Sequence, residues 1–283
     1  MKIRVLAIAA AALALTTACN DNKLTAAAVA GDPPTAVITG SQNYGPLDTA
    51  VFSGASSTAV SPKTIANYEW AISGHPNGSQ SVVQLGSDPS AAEFFVDLAG
   101  DYKIKLKVTD SAGVSDTTEY AFSAVPSQSL HIELTWPAQY TQADMDLHLI
   151  NKGVGGSMWS STEDCDFITC KPTFGGYLDW GASGNTNDDP TLDIDNISES
   201  VPENINIKAP VDGSYEVNVH YYASHGAGDV VCHVRVYLGG TVAWEGEKTL
   251  SMANQVWTVG DVAWSSGNGT FNEIGTIFTT TGP

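Results

Sequence analysis

One stretch alternates strictly between apolar and basic side chains: Tyr102-Lys103-Ile104-Lys105-Leu106-Lys107-Val108. A period of two places the four apolar side chains on one face of a β-strand and the three lysines on the other. Such a strand is half buried, with its lysine face in water. No helical period competes here, so the stretch favours an all-β fold.

The same alternation recurs on both sides of this strand. Tyr68, Trp70 and Ile72 alternate with Glu69 and Ala71. Further candidate strands are Thr35–Thr39, Thr49–Ser53, Ser81–Leu85, Ala92–Asp97 and Thr118–Val125. Seven short strands separated by turn signals predict an immunoglobulin-like sandwich over residues 33–125.

Two local features fit such a sandwich. Asp110 and Gly113 predict a tight turn in which the Asp side chain bonds backbone amides. Tyr102 follows Gly100, and its hydroxyl is expected to bond the backbone at a strand corner.

Five motifs in residues 33–125 resemble a PKD (polycystic kidney disease) domain. They are Pro34-Thr35-Ala36-Val37-Ile38, Val51-Phe52-Ser53-Gly54-Ala55-Ser56-Ser57, Tyr68-Glu69-Trp70, Gly100-Asp101-Tyr102 and Val108-Thr109-Asp110-Ser111-Ala112-Gly113, in that order. The resemblance implies an extracellular, immunoglobulin-like unit that serves as a spacer or binding module.

Residues 130–283 also follow the strand period. Leu130, Ile132 and Leu134 alternate with polar residues, and Tyr215–Tyr222 does the same. We expect a second antiparallel sandwich or jelly roll. Residues 126–129 are short and polar and form the predicted junction between the two units.

The acidity of the chain is concentrated in the second unit. The 283 residues include 12 Lys and Arg against 31 Asp and Glu, a net charge of −19. So few basic residues exclude a nucleic-acid binder, because phosphate contacts require them. Residues 140–203 hold twelve acidic residues against two basic ones, Lys152 and Lys171.

These carboxylates predict a Ca²⁺ site assembled from several loops. Ca²⁺ takes six to eight oxygen ligands. Asp193 and Asp195 are expected to share one strand face, where their like charges are unfavourable unless a cation, a basic residue or proton uptake relieves them. The candidate ligands are Asp144, Asp146, Asp179, Asp188, Asp189, Asp193, Asp195 and Glu203. The alternative is a solvated acidic rim in which the Asp residues form turns.

Residues 130–245 resemble an uncharacterised acidic β-rich domain of myxobacterial-type secreted proteins and lipoproteins. The resemblance is carried by Asp144-Met145-Asp146-Leu147-His148-Leu149, Asp164-Cys165, Leu178-Asp179-Trp180-Gly181, Asp188-Asp189-Pro190-Thr191-Leu192-Asp193-Ile194-Asp195, Pro202-Glu203-Asn204-Ile205 and Tyr215–Tyr222. It implies a surface location and no particular activity.

Aromatic residues flank the acidic loops. Trp159, Tyr177 and Trp180 are candidates for stacking on a sugar, or they fill a loop core. No hydrolase or zinc-protease motif is present, so we do not expect an enzyme. Were catalysis present, Asp193, Asp195 and His220 are the residues we would assign to it.

The first residues predict export. Lys2 and Arg4 precede the apolar run 5–18, which is too short to span a bilayer and matches a secretory signal. Cys19 follows in a context that resembles a bacterial lipobox, which implies lipidation of its thiol. The alternative is an ordinary signal peptide cleaved near Ala18. Residues 19–32 predict a flexible tether.

The other cysteines fit an oxidising compartment. Cys165 and Cys170 predict a small disulfide staple rather than a metal site, and Cys232 predicts a buried free thiol.

These patterns predict a lipid-anchored surface protein of a Gram-negative cell envelope, in the outer membrane or at the cell surface. We expect it to bind a polysaccharide or a protein and to contact the membrane only through its anchor. The alternatives are a secreted hydrolase or its accessory subunit, and a structural envelope component.

Overall fold

The computed structural model describes residues 31–137, 143–171, 177–195 and 202–281. The predicted signal peptide, Cys19 and all but the last two residues of the predicted tether lie outside these ranges. The chain is all-β, as predicted, and the described residues contain no α-helix, only a 3₁₀ turn at Lys152–Val154. In the part of the chain that is described, no helix is long and apolar enough to cross a membrane.

The first sandwich consists of two sheets. Its strands are β1 (Thr39–Gly40), β2 (Asn43–Tyr44), β3 (Thr49–Ser53), β4 (Ile65–Gly74), β5 (Ala91–Phe95), β6 (Gly100–Asp110) and β7 (Ser115–Ala124). One sheet has the order β1-β3-β5 and the other β2-β7-β6-β4. In β6 the predicted alternation is confirmed, because Tyr102, Ile104, Leu106 and Val108 are fully buried.

Aromatic rings fill the space between these two sheets. Phe52 stacks on Phe94 at 6.0 Å between ring centroids, and Tyr102 stacks on Phe122 at 5.2 Å. Trp70 is half-buried against this core and donates its indole N–H to the Pro89 carbonyl. Rings of this size supply much of the apolar area that stabilises a small sandwich.

Both turn predictions are confirmed. The Tyr102 hydroxyl donates to the Leu98 carbonyl at 2.9 Å and closes the strand corner. Asp110 Oδ1 accepts the backbone N–H groups of Ala112 and Val114, each at 2.9 Å, and Gly113 adopts φ +81°.

Two predicted strands are wrong. Ser81–Leu85 forms only a single bridge, Gln84 to Glu93, because side chains replace the ladder there: Asp97 accepts the Gln80 N–H and Ser81 Oγ donates to the Phe95 carbonyl. Of the predicted strand Thr35–Thr39, Thr35 makes one isolated bridge and only Thr39 belongs to a strand, β1.

The second sandwich also consists of two sheets. Its strands are β8 (Leu130–Thr135), β9 (Asp144–Asn151), β10 (Asp164–Cys165), β11 (Pro190–Ile194), β12 (Glu203–Ile207), β13 (Gly213–Ala223), β14 (Val230–Leu238), β15 (Thr241–Leu250), β16 (Gln255–Ser265) and β17 (Asn268–Thr279). The sheets have the orders β10-β9-β13-β16-β17 and β11-β12-β8-β14-β15. The predicted free thiol of Cys232 lies buried in the core between them.

The edge strand β17 was not predicted from the sequence. Its residues are mostly exposed, and only Phe271 is described as packing against the core. An edge strand with little burial carries a weak alternation, which explains why the sequence pattern did not reveal it.

A buried carboxylate joins the two sandwiches. Glu133 on β8 accepts the backbone N–H of Ala99, in the first sandwich, at 2.6 Å. Glu133 Oε2 accepts a hydrogen bond from the Tyr237 hydroxyl at 3.1 Å. His131 Nε2 lies 3.0 Å from Glu133 Oε1, the oxygen that accepts the Ala99 N–H. Because Glu133 is only 2% exposed, these partners replace the water that it loses.

The turn after β6 generates a pH-dependent prediction. Lys63 Nζ lies 2.7 Å from Asp110 Oδ2, and this contact holds the pKa of Asp110 below its ordinary value. An acid with a lowered folded pKa stabilises the fold above its unfolded pKa of about 3.9, and the gain is lost as pH falls through the folded pKa. We therefore expect Asp110→Asn to be less stable than the native chain near pH 7, with the difference closing in strong acid.

Urea unfolding near pH 7 and in strong acid measures the difference in the free energy of unfolding between Asp110→Asn and the native chain. Asn keeps the Oδ1 acceptor, so the variant removes mainly the charge. Lys63→Met is the matched partner, and the double variant should lose no more stability than the more destabilised single variant. An equal loss from Asp110→Asn at both pH values would contradict the ion-pair explanation.

Candidate metal centre

The outer face of β9 and β13 carries polar side chains. On β9, Asp144, Asp146 and His148 alternate with three residues of the core, Met145, Leu147 and Leu149. On β13, Asn218 and His220 alternate with the core residues Val217, Val219 and Tyr221. The register pairs His220 with Asp146 and Asn218 with His148, so these side chains are cross-strand neighbours.

The segment between β9 and β11 covers this face. The Trp159 ring lies edge-on against both imidazoles, with centroids 4.8 Å from His148 and 5.0 Å from His220. Trp159 adopts φ +69°, and its N–H donates to Asp164 Oδ2 at 2.7 Å. Both histidines are 0% exposed and Asp146 is 4% exposed, so the cover removes them from water.

A disulfide stabilises the cover. Cys165 and Cys170 are bonded, as the sequence predicted. Within this loop, Asp166 Oδ1 accepts the N–H groups of Ile168 and Thr169, at 2.8 and 2.9 Å. The loop is therefore closed by covalent and hydrogen bonds at the edge of the sheet beside β9, with both cysteines buried in the core.

Several buried polar atoms on this face have no hydrogen-bond partner within the described residues. They are Asp146 Oδ2, His148 Nε2 and both ring nitrogens of His220. His220 Nδ1 approaches Asp146 Oδ2 only to 3.6 Å. Each unsatisfied buried group costs about 1–3 kcal/mol. A ligand that pairs with these atoms would therefore stabilise the fold.

His148 Nδ1, the remaining ring nitrogen of the two histidines, has a hydrogen-bond partner. His148 Nδ1 lies 3.0 and 3.1 Å from the two oxygens of Asp164. Burial lowers the pKa of His148, but the Asp164 carboxylate outweighs burial and the pKa is raised overall. One ligand atom each from Asp146, His148 and His220 lie within 4.8 Å of one another, and the same holds for His148, Asp164 and Asp166.

A second cluster contains only oxygen ligands. Asp146, Asp195 and Glu203 bring carboxylate oxygens within 4.8 Å of one another. Glu203 Oε2 also accepts the Leu147 N–H at 2.8 Å, and Lys171 Nζ pairs with Asp195. We call Asp144, Asp146, Asp195 and Glu203 the acidic cluster.

The charge of the acidic cluster perturbs Asp144. Burial, followed by the carboxylates of Asp146 and Asp195, raises the pKa of Asp144 to about 7. An acid with so high a pKa marks a place where negative charge is crowded and poorly hydrated.

The eight predicted metal ligands divide between three places, and Asp193 is alone in the third. Asp144, Asp146, Asp195 and Glu203 form the acidic cluster. Asp179, Asp188 and Asp189 lie in a separate loop, where they accept hydrogen bonds from Gly184, Ala182 and Trp180 respectively. These three organise the loop as turn formers, which is the role that the alternative interpretation gave them.

Asp193 and Asp195 do not form the predicted pair. A β-bulge interrupts β11 between Leu192 and Ile194, and it breaks the two-residue alternation on which the prediction depended. Asp193 accepts the Asn206 side-chain amide at 2.5 Å, whereas Asp195 pairs with Lys171. Among the described residues, Asp193 shares no group of possible metal ligands with Asp195 or with His220.

The three candidate aromatic residues do not form one binding surface. Trp180 is buried, stacks on Tyr215 at 5.8 Å and donates its indole N–H to the Thr162 carbonyl, so it fills the loop core. Trp159 covers the histidines. Tyr177 is 76% exposed and is the one member of the trio that is open to a ligand.

Sequence analysis missed the roles of His148, Asp164 and Asp166. A signal was present, because Asp144-x-Asp146-x-His148 places three polar residues on one face of a strand whose other face is apolar. The contribution of Asp164 depends on how the disulfide loop folds back, which no local pattern reveals.

No protein-family model matches the sequence, and the comparison with curated proteins found no match.

Proposed function

We propose that this chain is an exported, lipid-anchored surface protein of a Gram-negative cell envelope, and that it acts as a binding or adhesion module. In this proposal Ca²⁺ stabilises the acidic cluster of the second sandwich. The leader sequence, Cys19 and a disulfide of the kind found in oxidising compartments support export and anchoring.

The convergence of Asp146, Asp195 and Glu203 carries the calcium part of the proposal. They come from β9, from the residue after β11 and from the start of β12, so only the tertiary fold brings them together. Lys171 neutralises one charge of the group. A hard cation such as Ca²⁺ would relieve the remaining repulsion, since it takes carboxylate oxygens at about 2.3–2.6 Å.

A cation in this position would have a structural effect. Asp195 and Glu203 flank the connection between β11 and β12, and Asp146 lies on the other sheet. Bridging them would join the two sheets at one edge of the sandwich and hold the adjoining loops in place. Fixed loops on a rigid scaffold suit a module that binds a polysaccharide or a protein surface.

The calcium proposal predicts binding and stabilisation. In about 10 mM Ca²⁺ the chelator-treated chain should melt about 3–10 °C higher than in EDTA, if its Kd is near the millimolar range of extracellular modules. The double variant Asp195→Asn with Glu203→Gln should lose both this shift and the binding heat in calorimetric titration.

A matched control removes the same charge elsewhere in the second sandwich. Asp229→Asn with Glu245→Gln changes two exposed acids and should keep the native shift. If native protein shows neither heat nor a change in melting temperature, the calcium proposal is wrong.

The anchor has its own prediction, because Cys19 lies outside the described residues. Cells fed labelled palmitate should label the native chain. They should label a Cys232→Ala variant equally, because the thiol of Cys232 is buried and is not exposed to lipid transfer. Cys19→Ser should abolish the label and release the protein from the membrane fraction. Undiminished labelling of Cys19→Ser would refute lipidation at this residue.

A further inference from the structure

We propose that Asp146, His148 and His220 form a second cation site that takes a borderline transition-metal ion such as Zn²⁺. This site differs from the acidic cluster in its chemistry, since two of its three ligands are imidazole nitrogens. Hard Ca²⁺ prefers oxygen, whereas imidazole with one carboxylate suits Zn²⁺ and its neighbours in the first transition series.

The unsatisfied atoms belong to three neighbouring side chains. Asp146 Oδ2, His148 Nε2 and the ring nitrogens of His220 are fully buried and without hydrogen-bond partners within the described residues. Their ligand atoms lie within 4.8 Å of one another. Ligand atoms of one tetrahedral zinc ion, each bound at about 2.1 Å, lie about 3.4 Å apart, so a closure of at most about 1.4 Å brings all three into coordination.

The surroundings of His148 match those of a metal ligand. Asp164 holds the Nδ1 side of the ring at 3.0 Å, which directs the lone pair of Nε2 toward the site when Nδ1 carries the proton. The Trp159 backbone N–H in turn fixes Asp164 at 2.7 Å. A carboxylate behind a histidine is the usual arrangement that orients an imidazole toward zinc.

The strands position the other two ligands. His220 is the register partner of Asp146 on the neighbouring strand, so the two side chains leave the same face of the sheet side by side. His148 follows Asp146 by two residues on β9 and shares that face. A rigid, hydrogen-bonded sheet thus presents three ligands without relying on a mobile loop.

A bound ion would also stabilise the segment that covers the histidines. Trp159 packs against both histidine rings, Asp164 directly precedes the disulfide loop, and Asp166 lies within it. Zinc would lock His148 into the orientation that Asp164 requires, and so would clamp the cover onto the sheet. The three protein ligands leave one tetrahedral position for water or a further ligand.

Titration of the chelator-treated full chain with Zn²⁺ tests the proposal. We expect saturable binding of one ion that does not require Asp195 or Glu203, and Co²⁺ should give the intense visible absorption bands of a tetrahedral nitrogen–oxygen site. His220→Gln should weaken Zn²⁺ binding at least 100-fold. Asp164→Asn should weaken it about 10–100-fold through the loss of its hold on His148.

Matched controls separate this site from general histidine binding and from the acidic cluster. His233→Gln changes a half-buried histidine on β14 and should bind Zn²⁺ as the native chain does. Asp195→Asn with Glu203→Gln should keep Zn²⁺ binding even where Ca²⁺ binding is lost. Failure of one cation proposal is therefore distinguishable from failure of the other.

Two results would overturn the proposal. One is native protein that gives no Zn²⁺ heat and no tetrahedral Co²⁺ bands. The other is a His220→Gln variant, shown by circular dichroism to be folded, that binds Zn²⁺ as tightly as the native chain. If His220→Gln does not fold, the Co²⁺ spectrum of the native chain decides, because it requires no substitution.

Discussion

The burial of a polar sheet face is the constraint on which the second sandwich depends. An antiparallel sheet usually packs one face on the core and leaves the other to water. Here β9 and β13 follow that rule in sequence, but the segment after β9 covers the polar face. Within the described residues, Asp146 Oδ2, His148 Nε2 and both ring nitrogens of His220 lose water without gaining a hydrogen-bond partner, and this is the observation that most favours a bound ion.

Asp146 is the shared element of the two proposed cation sites. It faces His148 and His220 on one side and Asp195 and Glu203 on the other. Because a carboxylate has two oxygens, one residue is able to bridge two ions. Occupation of either site would therefore alter the charge and position of a ligand for the other, and the two affinities should be coupled.

The sequence predicted the fold through alternation. Residues 102–108 and 215–222 have a clear period of two, and both lie in central strands that are packed on one face. The pattern fails where local chemistry replaces the ladder, as at Ser81, or where burial is slight, as in β17. Alternation reports which face is apolar, and it is informative only where a core lies behind that face.

The site was predicted less well, for a related reason. Composition located the acidic region, and it placed Asp144, Asp146, Asp195 and Glu203 among the candidate ligands. It also paired Asp193 with Asp195, because a bulge is invisible in a residue pattern. His148 was missed, and His220 was named only as a candidate for catalysis, because their importance arises from burial beneath Trp159, which depends on the path of a long loop rather than on spacing.

Anomalous diffraction tests the central claim most directly. Crystals of the zinc-loaded chain, measured on both sides of the zinc absorption edge, should show an anomalous peak bonded to Asp146, His148 and His220. Absence of a peak there, with zinc bound only at exposed residues or at Asp195 and Glu203, would contradict the assignment of this buried face to a transition-metal ion.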